Sequence, residues 1–404
     1  MKVLLANWVY GWGSTGYILR DLVKGLKSKG VSVVTAAGTT KGLNAPDVYQ
    51  FATPTELKWY HRFVRIGFPK FYGSPLATLR FKRLVMRENP DIVHLHLLHC
   101  STLNFYRLLK WLSSNKIKTV ITNHAEIYYT GGCEHAYNCE QWINSQCRNC
   151  PRIKQATGSY IFGNPHRNFV KISRALRSFD PSYVKFTAVS PWLKSRFEQS
   201  PISKGYNCET VINGVDTGIF NHRDECNLAG LTRNGYMLYV TARFNPNSDD
   251  DVKGSKWVAK IADNMPQSKF VIVSTESANI EGLPNNIVFW GKAKSQDELA
   301  ELYSNAAVVL ITSRRETFSM VTAESLCCGT PVVGFKAGGP ESIALLEYSR
   351  FCAQGDLEAL KKNIETISNL KNRDEISKSA IAKYSKSTMI QKYINVYKSF
   401  LSDI

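Results

Sequence analysis

The stretch from Ala306 to Glu341 constrains the fold of this chain more than any other. Ala306 to Ile311 is an unbroken apolar run, which is typical of a strand buried on both faces of a parallel sheet. A short polar loop follows, and then a segment with helical potential from about Ser319 to Cys328. Gly329 ends that helix, and the apolar run 331–335 predicts the next buried strand. This order of strand, loop, helix and strand predicts an α/β domain with a parallel sheet.

The loop and the first turn of that helix are expected to form a ligand site. In an open α/β sheet, ligands bind beyond the carboxyl ends of the strands. The first turn of a helix also presents unpaired backbone N–H groups, which suit an anion such as a diphosphate. In this chain the turn comprises Phe318, Ser319, Met320 and Val321.

Two glutamates bracket that turn, Glu316 before it and Glu324 after it. Carboxylates accept hydrogen bonds from sugar hydroxyls, so one can hold a hexose and the other a ribose while the helix end holds the phosphates. A helix whose first glutamate is favoured by the dipole and whose second lies in solvent would show the same spacing. The pattern E-x7-E, followed by G-T-P-V-V and G-G-P-E, resembles the retaining family-4 nucleotide-sugar glycosyltransferases of the GT-B fold.

That resemblance covers nearly the whole chain and is most specific from Tyr236 to Glu341. It implies an α/β protein of two Rossmann-like domains, whose parallel sheets face an interdomain cleft. It also implies a hexosyltransferase that retains the anomeric configuration and needs no cofactor or metal for catalysis. Arg243 and Lys253 match the cations that neutralise the donor diphosphate in these enzymes. The leaving group departs with extra negative charge, which cations already in place can stabilise.

The same resemblance assigns the remaining site residues. Glu324 would hold the ribose, and Glu316 and His124 would position the transferred sugar. His124 follows a predicted strand at 118–123, although a lone histidine at a strand end is more often structural. One departure is Ser319, which stands where the family usually has a glycine.

A glycine-rich loop at 10–16 follows the first predicted strand, and we predict a helix from Tyr17 to Leu26 after it. Its glycines fit G-x-G-x-x-G, but we expect no dinucleotide site, because no acidic residue ends the second strand. In the resembling enzymes this loop lets substrate groups approach the backbone, so Gly13 and Gly16 are assigned to donor binding. A plain turn is the alternative. Asp249 to Asp251 contain a D-x-D pattern, which we discount as a metal site because it lies in a loop.

At 404 residues the chain is too long for one ordinary core, and two domains are expected. We predict an acceptor-side Rossmann-like domain at 1–210 and a linker at 211–233. The nucleotide-sugar-binding domain is predicted at 234–385. A final helix at 386–404 is expected to pack back on the first domain.

An insertion at 131–151 holds four of the ten cysteines, namely Cys133, Cys139, Cys147 and Cys150. In a reducing cytosol such a cluster binds metal more often than it forms disulfides. We therefore predict a structural zinc site, with disulfides or free thiols as the alternatives. A similar insertion occurs in some polysaccharide glycosyltransferases of the family that the chain resembles.

Lys and Arg exceed Asp and Glu by 51 to 33, so the net charge is +18, which favours phosphate-rich partners. Between Leu57 and Arg87 eight basic residues are interleaved with aromatic residues, and no acidic residue occurs. The basic residues are Lys58, Arg62, Arg65, Lys70, Arg80, Lys82, Arg83 and Arg87. This composition suits a patch that contacts an anionic membrane surface, and an ordinary solvated helix pair is the alternative.

No apolar run is long enough for a transmembrane helix, and the N-terminal apolar run is too short for a secretory signal. We therefore expect a cytoplasmic protein that lies peripherally at the inner face of the cytoplasmic membrane. The expected partners are a nucleotide-sugar donor and a glycan acceptor, most simply a lipid-linked oligosaccharide of capsule, O-antigen or exopolysaccharide synthesis. A same-fold transferase with a soluble acceptor and a non-enzymatic nucleic-acid binder are the alternatives. The site residues argue against the binder, so no nucleic acid is expected.

Overall fold

The computed structural model describes residues 1–69, 71–98, 102–225, 227–276, 282–368, 370 and 372–402. The chain divides into two compact units. The first comprises Met1–Val211 and Met389–Ile404, and the second comprises Ile212–Thr388. The predicted boundaries at 210 and 386 lie within three residues of this division, but the predicted linker belongs to the second unit from Ile212 onward.

In the described residues, the first unit contains a seven-stranded parallel sheet of order β3-β2-β1-β4-β5-β6-β7. Its strands are β1 (Lys2–Val9), β2 (Ser32–Thr39), β3 (Val48–Gln50), β4 (Ile92–Leu95), β5 (Thr119–Asn123), β6 (Val184–Ala188) and β7 (Cys208–Thr210). Its helices are α1 (Gly13–Ser28), α2 (Pro54–Arg65), α3 (Pro75–Glu88), α4 (Phe105–Ser114), α5 (Gln141–Asn144), α6 (Ile153–Thr157), α7 (Pro165–Leu176) and α8 (Pro191–Glu198). The strand order reverses between β1 and β4, as in doubly wound Rossmann-like sheets.

The second unit contains a parallel sheet of order β10-β9-β8-β11-β12-β13 in its described part. Its strands are β8 (Tyr236–Arg243), β9 (Lys269–Glu276), β10 (Ile287–Gly291), β11 (Val308–Ile311), β12 (Val332–Phe335) and β13 (Ser349–Cys352). The helices that follow are α9 (Ser255–Asp263), α10 (Gln296–Asn305), α11 (Met320–Cys327), α12 (Gly339–Ile343), α13 (Leu357–Ile367), α14 (Arg373–Tyr384) and α15 (Lys386–Ser402). Here the strand order reverses between β8 and β11. The predicted α/β fold with two Rossmann-like parallel sheets is therefore confirmed.

From Met389 onward, α15 belongs to the first unit and completes its core. Met389, Tyr393, Tyr397 and Phe400 are buried in one cluster with the apolar face of α1 and with β1. Contact with α1 is so close that a Cβ added at Gly25 would lie 1.9 Å from Cδ1 of Ile390. The C-terminal segment is thus a structural part of the first unit.

Helix α1 begins at Gly13, four residues before the predicted start at Tyr17. The prediction treated all three glycines of the loop as turn residues. Gly13 has a φ of 64° and opens the helix, whereas Gly16 lies inside it. A Cβ at Gly16 would meet Cγ2 of Val9 at 3.1 Å, so this glycine lets the helix pack closely on the preceding strand.

Candidate active site

The switch point of the second sheet is where the candidate site residues gather. β8 ends at Arg243, and β11 ends at Ile311 just before the loop that carries Glu316. Helix α11 starts at Met320, one residue after the predicted start. Ligands of doubly wound folds bind at this kind of sheet edge, so the predicted elements occupy the expected place.

Two neighbouring segments fix the loop before α11. The backbone N–H of Glu316 donates to the carbonyl of Ala337 at 3.0 Å, and the N–H of Gly339 donates to the carbonyl of Glu316 at 2.8 Å. A Cβ at Gly339 would lie 2.5 Å from the backbone nitrogen of Phe318, so only glycine fits there. Glu341 secures this segment by accepting hydrogen bonds from the backbone N–H groups of Ala337 and Gly338 at 3.0 and 2.7 Å. The G-G-P-E pattern therefore supports the loop that presents Glu316.

On its other side, the loop packs against the segment that carries Lys253. Gly254 has a φ of 74°, and a Cβ there would lie 2.1 Å from the carbonyl oxygen of Thr312. The Thr312 hydroxyl donates to the carbonyl oxygens of Lys253 and Gly254, at 3.1 and 3.0 Å. A side chain at position 254 would force the two segments apart and separate Lys253 from Glu316.

Lys253 and Glu316 form an ion pair, with 2.8 Å between Lys253 Nζ and Glu316 Oε1. The Ser313 hydroxyl donates to the same carboxylate oxygen at 2.5 Å. Burial alone would raise the pKa of Glu316, but attraction to Lys253 and hydrogen bonds from Lys253, Ser313 and Ser319 hold it below the ordinary value. Glu316 is therefore an ionised acceptor, and its lysine is 40 % exposed and open to a ligand.

Ser319 precedes α11 with a φ of 90° and a ψ of 89°. This is a glycine-like conformation, which is uncommon and strained for a residue with a Cβ. The hydroxyl of Thr322 donates to Ser319 Oγ at 3.0 Å, and this contact compensates in part. Phe318 and Ser319 are buried, whereas Met320 and Val321 are partly exposed.

Glu324 lies on α11, where it accepts a hydrogen bond from the hydroxyl of Tyr303 at 3.2 Å. Burial raises the pKa of Glu324 to about 7, and the hydrogen bond from Tyr303 offsets only part of that rise. The two predicted glutamates thus differ in charge, because only Glu316 has a cation beside it.

Arg243 lies at the end of β8 and forms an ion pair with Glu276, with 3.1 Å between Nε and Oε2. Both side chains are more than half exposed, at 69 % and 63 %. Such pairs in water contribute little to stability, so Arg243 can exchange this partner for a ligand at low cost.

The aspartates before α9 support the backbone. Asp251 accepts hydrogen bonds from the backbone N–H of Lys253 at 3.0 Å and from the backbone N–H of Ser255 at 2.8 Å. Asp249 pairs with Lys256. Sequence reasoning missed the role of Asp251 in placing Lys253, and its position two residues before the lysine was the available signal.

In the first unit, His124 follows β5 and is buried beside two other histidines. His124 Nε2 lies 2.9 Å from Nδ1 of His96. His94 contacts the hydroxyls of Tyr397 at 2.6 Å and Thr122 at 2.7 Å. Burial lowers the pKa of His94 to about 3 and that of His124 to about 4, and it lowers the pKa of His96 well below its ordinary value. These histidines are neutral at pH 7, and sequence reasoning linked only His124 to the site.

None of the four cysteines of the insertion forms a disulfide in the described residues; Cys133 and Cys147 are buried, and Cys139 and Cys150 are half-buried. Burial raises the pKa of Cys147 to about 12, and the neighbouring Cys150 and Cys139 add to that rise. Within the described part of the chain, no three His, Cys, Asp or Glu side chains form a group that could hold a metal ion. The zinc site stays a prediction, as do the ligand contacts of Gly13 and Gly16.

None of the described helices combines the length and the hydropathy that a membrane crossing requires. Of the basic residues between 57 and 87, Lys70 lies outside the described residues. The others fall on α2 and α3 or, in the case of Arg65, at the end of α2.

Two family models match the chain. Residues 15–218 match the model described as Glycosyltransferase Family 4, and residues 250–386 match the model described as Glycosyl transferases group 1. The first of these alone spans half of the chain.

Individual relatives agree with these matches. N-acetyl-alpha-D-glucosaminyl L-malate synthase of Bacillus anthracis is 24 % identical over 82 % of this chain and 80 % of its own length. Sucrose-phosphate synthase of Thermosynechococcus elongatus has a TM-score of 0.69, with 14 % identity and full coverage of both chains. HepE of Anabaena in complex with UDP-glucose has a TM-score of 0.64, with 16 % identity over 99 % of this chain and 100 % of its own. At such identities the structures establish the fold.

Proposed function

Because the chain belongs to Glycosyltransferase Family 4, we propose that it is a retaining hexosyltransferase that moves a sugar from a nucleotide-sugar donor to a glycan acceptor without a catalytic metal. The observation that carries this proposal is the ion pair of Lys253 and Glu316 beside the N-terminus of α11. It joins a cation for phosphate to a carboxylate for sugar hydroxyls within one fixed loop.

In this proposal the diphosphate binds at the start of α11. The backbone N–H groups of Phe318 to Val321 donate hydrogen bonds to it, and the side chains of Arg243 and Lys253 neutralise its negative charge. As the sugar leaves, negative charge grows on the diphosphate, and these groups stabilise it without moving far. Lys253 turns from Glu316 toward the phosphate, which frees carboxylate lone pairs for the hydroxyls of the sugar.

Glu324 binds the ribose in this proposal, and it must be ionised to accept two hydroxyl donors. Its pKa of about 7 means that nucleotide binding and deprotonation are coupled. His124 contributes a neutral imidazole to the transferred sugar, because a cation there would oppose the positive charge that develops on the sugar ring.

The proposed acceptor is a lipid-linked oligosaccharide of capsule, O-antigen or exopolysaccharide assembly, and the proposed place is the inner face of the cytoplasmic membrane. Support comes from the net charge of +18 and from the basic, aromatic segment between Leu57 and Arg87. We further propose that the cysteines of the insertion bind a structural zinc ion. All four thiols would have to lose their protons and approach one another, since the described side chains do not form a metal-binding group.

A second candidate is a transferase with a small soluble acceptor. It is favoured by the relative from Bacillus anthracis, whose name denotes a product with L-malate. Transfer of a radiolabelled sugar distinguishes the two candidates. Label that enters an organic extract supports the lipid-linked acceptor, and label that stays on a small acid in water supports the second.

The first experiment is a thermal-shift panel with UDP, GDP, ADP and their common sugar conjugates on the wild type, Glu324→Ala and the control Glu347→Ala. A ligand at about 100 times its dissociation constant adds roughly 2.7 kcal/mol of stability, which moves the melting temperature by a few degrees. We expect stabilisation by one nucleotide class that is lost in Glu324→Ala and kept in Glu347→Ala, since Glu347 is exposed.

If none of the nucleotides or their sugar conjugates stabilises the protein, the proposal is contradicted. Two further measurements concern its finer parts. Activity that survives EDTA supports metal-independent catalysis, and the anomeric coupling constant of the product in a proton NMR spectrum reports retention or inversion.

A further inference from the structure

The first unit exposes a group of large apolar side chains that come from two distant segments. Trp59 and Ile66 lie on or just after α2, and they are 51 % and 57 % exposed. Tyr160, Ile161 and Phe162 lie in the loop between α6 and α7, and they are 67 %, 62 % and 72 % exposed. Phe63 and Phe68 are also exposed and extend the first group, with 5.9 Å between their ring centroids. Soluble proteins expose such clusters mainly where they bind a partner or a membrane.

The two segments form one surface. The backbone N–H of Tyr160 donates to the carbonyl of Arg65 at 2.9 Å, and the Ser159 hydroxyl donates to the same carbonyl at 3.3 Å. The contact is close enough that a Cβ at Gly67 would lie 2.9 Å from Cβ of Phe162. The loop 158–163 is therefore held against the end of α2.

The shape of this loop is fixed by its own hydrogen bonds. Ser159 is buried, and its hydroxyl oxygen accepts from the backbone N–H groups of Ile161 and Phe162 at 3.2 and 3.1 Å. A Cβ at Gly163 would lie 2.5 Å from the Thr157 hydroxyl, so the loop closes tightly after its apolar tip. The exposed rings consequently stand on a supported turn.

The cysteine-containing insertion supports the same loop from behind. Arg152 donates from Nη1 to the carbonyl of His135 at 3.1 Å and lies over the ring of Tyr137. On the far side of the loop, His166 Nδ1 lies 2.9 Å from the carbonyl oxygen of Gln146. The insertion is thereby tied to both ends of the segment that carries the apolar tip.

Charge distinguishes the occupants that such a surface can accept. Neither the segment 57–87 nor the segment 141–179 contains an Asp or Glu, and together they hold fifteen Lys and Arg residues. Two of these cations lie beside exposed rings, Arg62 over Trp59 at 5.5 Å and Lys154 over Tyr160 at 4.6 Å. A second copy of this chain would bring like charges together, and a nucleic-acid backbone would satisfy the cations but not the exposed side chains of Ile66 and Ile161. An anionic lipid surface accepts both the rings and the cations.

We propose that α2 and the loop 158–163 form a composite surface that inserts its rings into the headgroup region of an anionic bilayer, and that the insertion 131–151 serves to present this loop. The proposal deepens the membrane-bound acceptor proposed above and rests on that function for its purpose. The surface would keep the enzyme beside an acceptor that cannot leave the membrane.

The test is co-sedimentation of the full chain with vesicles that contain about 30 mol % phosphatidylglycerol, compared with pure phosphatidylcholine vesicles. We expect binding to the anionic vesicles that weakens in high salt, because surface charge is screened. The variant Ile161→Ser with Phe162→Ser should bind at least about tenfold more weakly, since it loses two apolar side chains from the lipid. The control Leu346→Ser removes an equally exposed leucine from the second unit, and its binding should equal that of the wild type.

Wild-type protein that ignores anionic vesicles, or a double variant that binds them equally well, would overturn the proposal. Salt-sensitive binding to random duplex DNA without vesicle binding would overturn it in favour of a nucleic-acid partner. Thermal shift with the donor nucleotide separates this outcome from failure of the proposed function. The double variant should keep its donor stabilisation, which also shows that it is folded. Vesicle binding without stabilisation by any donor would support the membrane-binding surface and contradict the proposed transferase function.

Discussion

Both units carry polar side chains at or beyond the carboxyl ends of parallel strands, but those of the first unit are uncharged and those of the second include an ion pair. In the first unit, burial makes His94, His96 and His124 neutral, and they contact one another and nearby hydroxyls. In the second unit, Glu316 is ionised in a pair with the half-exposed Lys253. One fold therefore supports a neutral hydrogen-bonding cluster in one unit and an ionic cluster in the other.

The difference follows from what surrounds each cluster. The histidines are buried, and His94 and His96 contact Tyr393 of α15, so a charge there would be removed from solvent. Lys253 reaches solvent, and the backbone of the α11 first turn adds partial positive charge beside it. A neutral cluster can orient hydroxyls, and an ionic cluster can receive an anion.

The largest effect is expected for Lys253→Met, which removes the cation from the ionic cluster. Nucleotide affinity should fall about 100-fold or more, because the diphosphate loses a charged partner and the Glu316 carboxylate next to it stays unneutralised. Isothermal titration with the nucleotide that stabilises the wild type measures this change.

Two matched variants test the reason. Lys256→Met removes a nearby lysine that pairs with Asp249, and it should change the affinity less than threefold, in line with exposed ion pairs. Lys253→Arg should recover part of the loss, because the charge remains. Equal losses in Lys253→Met and Lys256→Met would mean that only general charge attracts the nucleotide, and the comparison between the two units would fail.

Much of this architecture follows from the sequence. The apolar runs predict strands at 306–311 and 331–335, and the structure has Val308–Ile311 and Val332–Phe335. Strand and helix periods are local signals, and buried parallel strands are almost purely apolar. Helix α1 was harder, because glycines in its first turn hid a helix start at Gly13.

The sites were less accessible to sequence reasoning. Resemblance supplied Lys253 and Glu316, but their contact joins residues 63 positions apart, and no local pattern encodes it. The same holds for the loop at Ser159, which contacts Arg65 across 94 positions. The protonation of Glu324 and of the histidines also depends on burial, which arises only when each unit is folded.

The next effect concerns Glu324, whose pKa of about 7 makes it sensitive to pH. Ribose binding needs the carboxylate, so nucleotide affinity should fall about tenfold per pH unit below 7 and be level above it. In Glu324→Gln the affinity should be weaker at pH 8 and nearly independent of pH. Titrations from pH 5.5 to 8.5 measure both profiles.

Stability provides an independent check on the same residue. The folded protein holds a proton on Glu324 that the unfolded chain releases near pH 4.5, so the free energy of unfolding decreases as pH rises from 4.5 to 7. Glu324→Gln avoids that loss and should gain up to about 3 kcal/mol over the wild type above pH 7. A stability difference that stays constant with pH would show that Glu324 is already ionised in the free protein.

A smaller effect is expected in the neutral cluster. His96 Nε2 is buried and has no hydrogen-bond partner, and an orphaned lone pair is easier to tolerate than an orphaned N–H. His96 should therefore donate from Nδ1 to Nε2 of His124, which leaves the His124 proton on Nδ1. Nitrogen-15 chemical shifts of the imidazoles report these tautomers directly.

The matched variants at this position are His96→Leu and His96→Asn. Leucine removes the donor and should reduce kcat/KM about tenfold, because His124 loses the contact that fixes its ring and its tautomer. Asparagine places an amide nitrogen near the Nδ1 position and should restore most of the activity. A His124 proton on Nε2, or equal activity of the two variants, would show that His96 only fills space.

The smallest effect is expected at Ser319, and it tests whether the ionic cluster stores strain. Its φ of 90° suits glycine, so Ser319→Gly should relieve strain and cost only a few tenths of a kcal/mol in helix capping. The net gain should be about 0.5–1 kcal/mol, or about 1–4 °C in the melting temperature. Ser319→Ala keeps the Cβ and loses the hydroxyl that contacts Thr322, so it should be destabilising. If glycine stabilises the fold and leaves nucleotide affinity unchanged, the serine is tolerated strain. If it weakens binding, the Ser319 hydroxyl helps to hold Glu316, and the strain is part of the site.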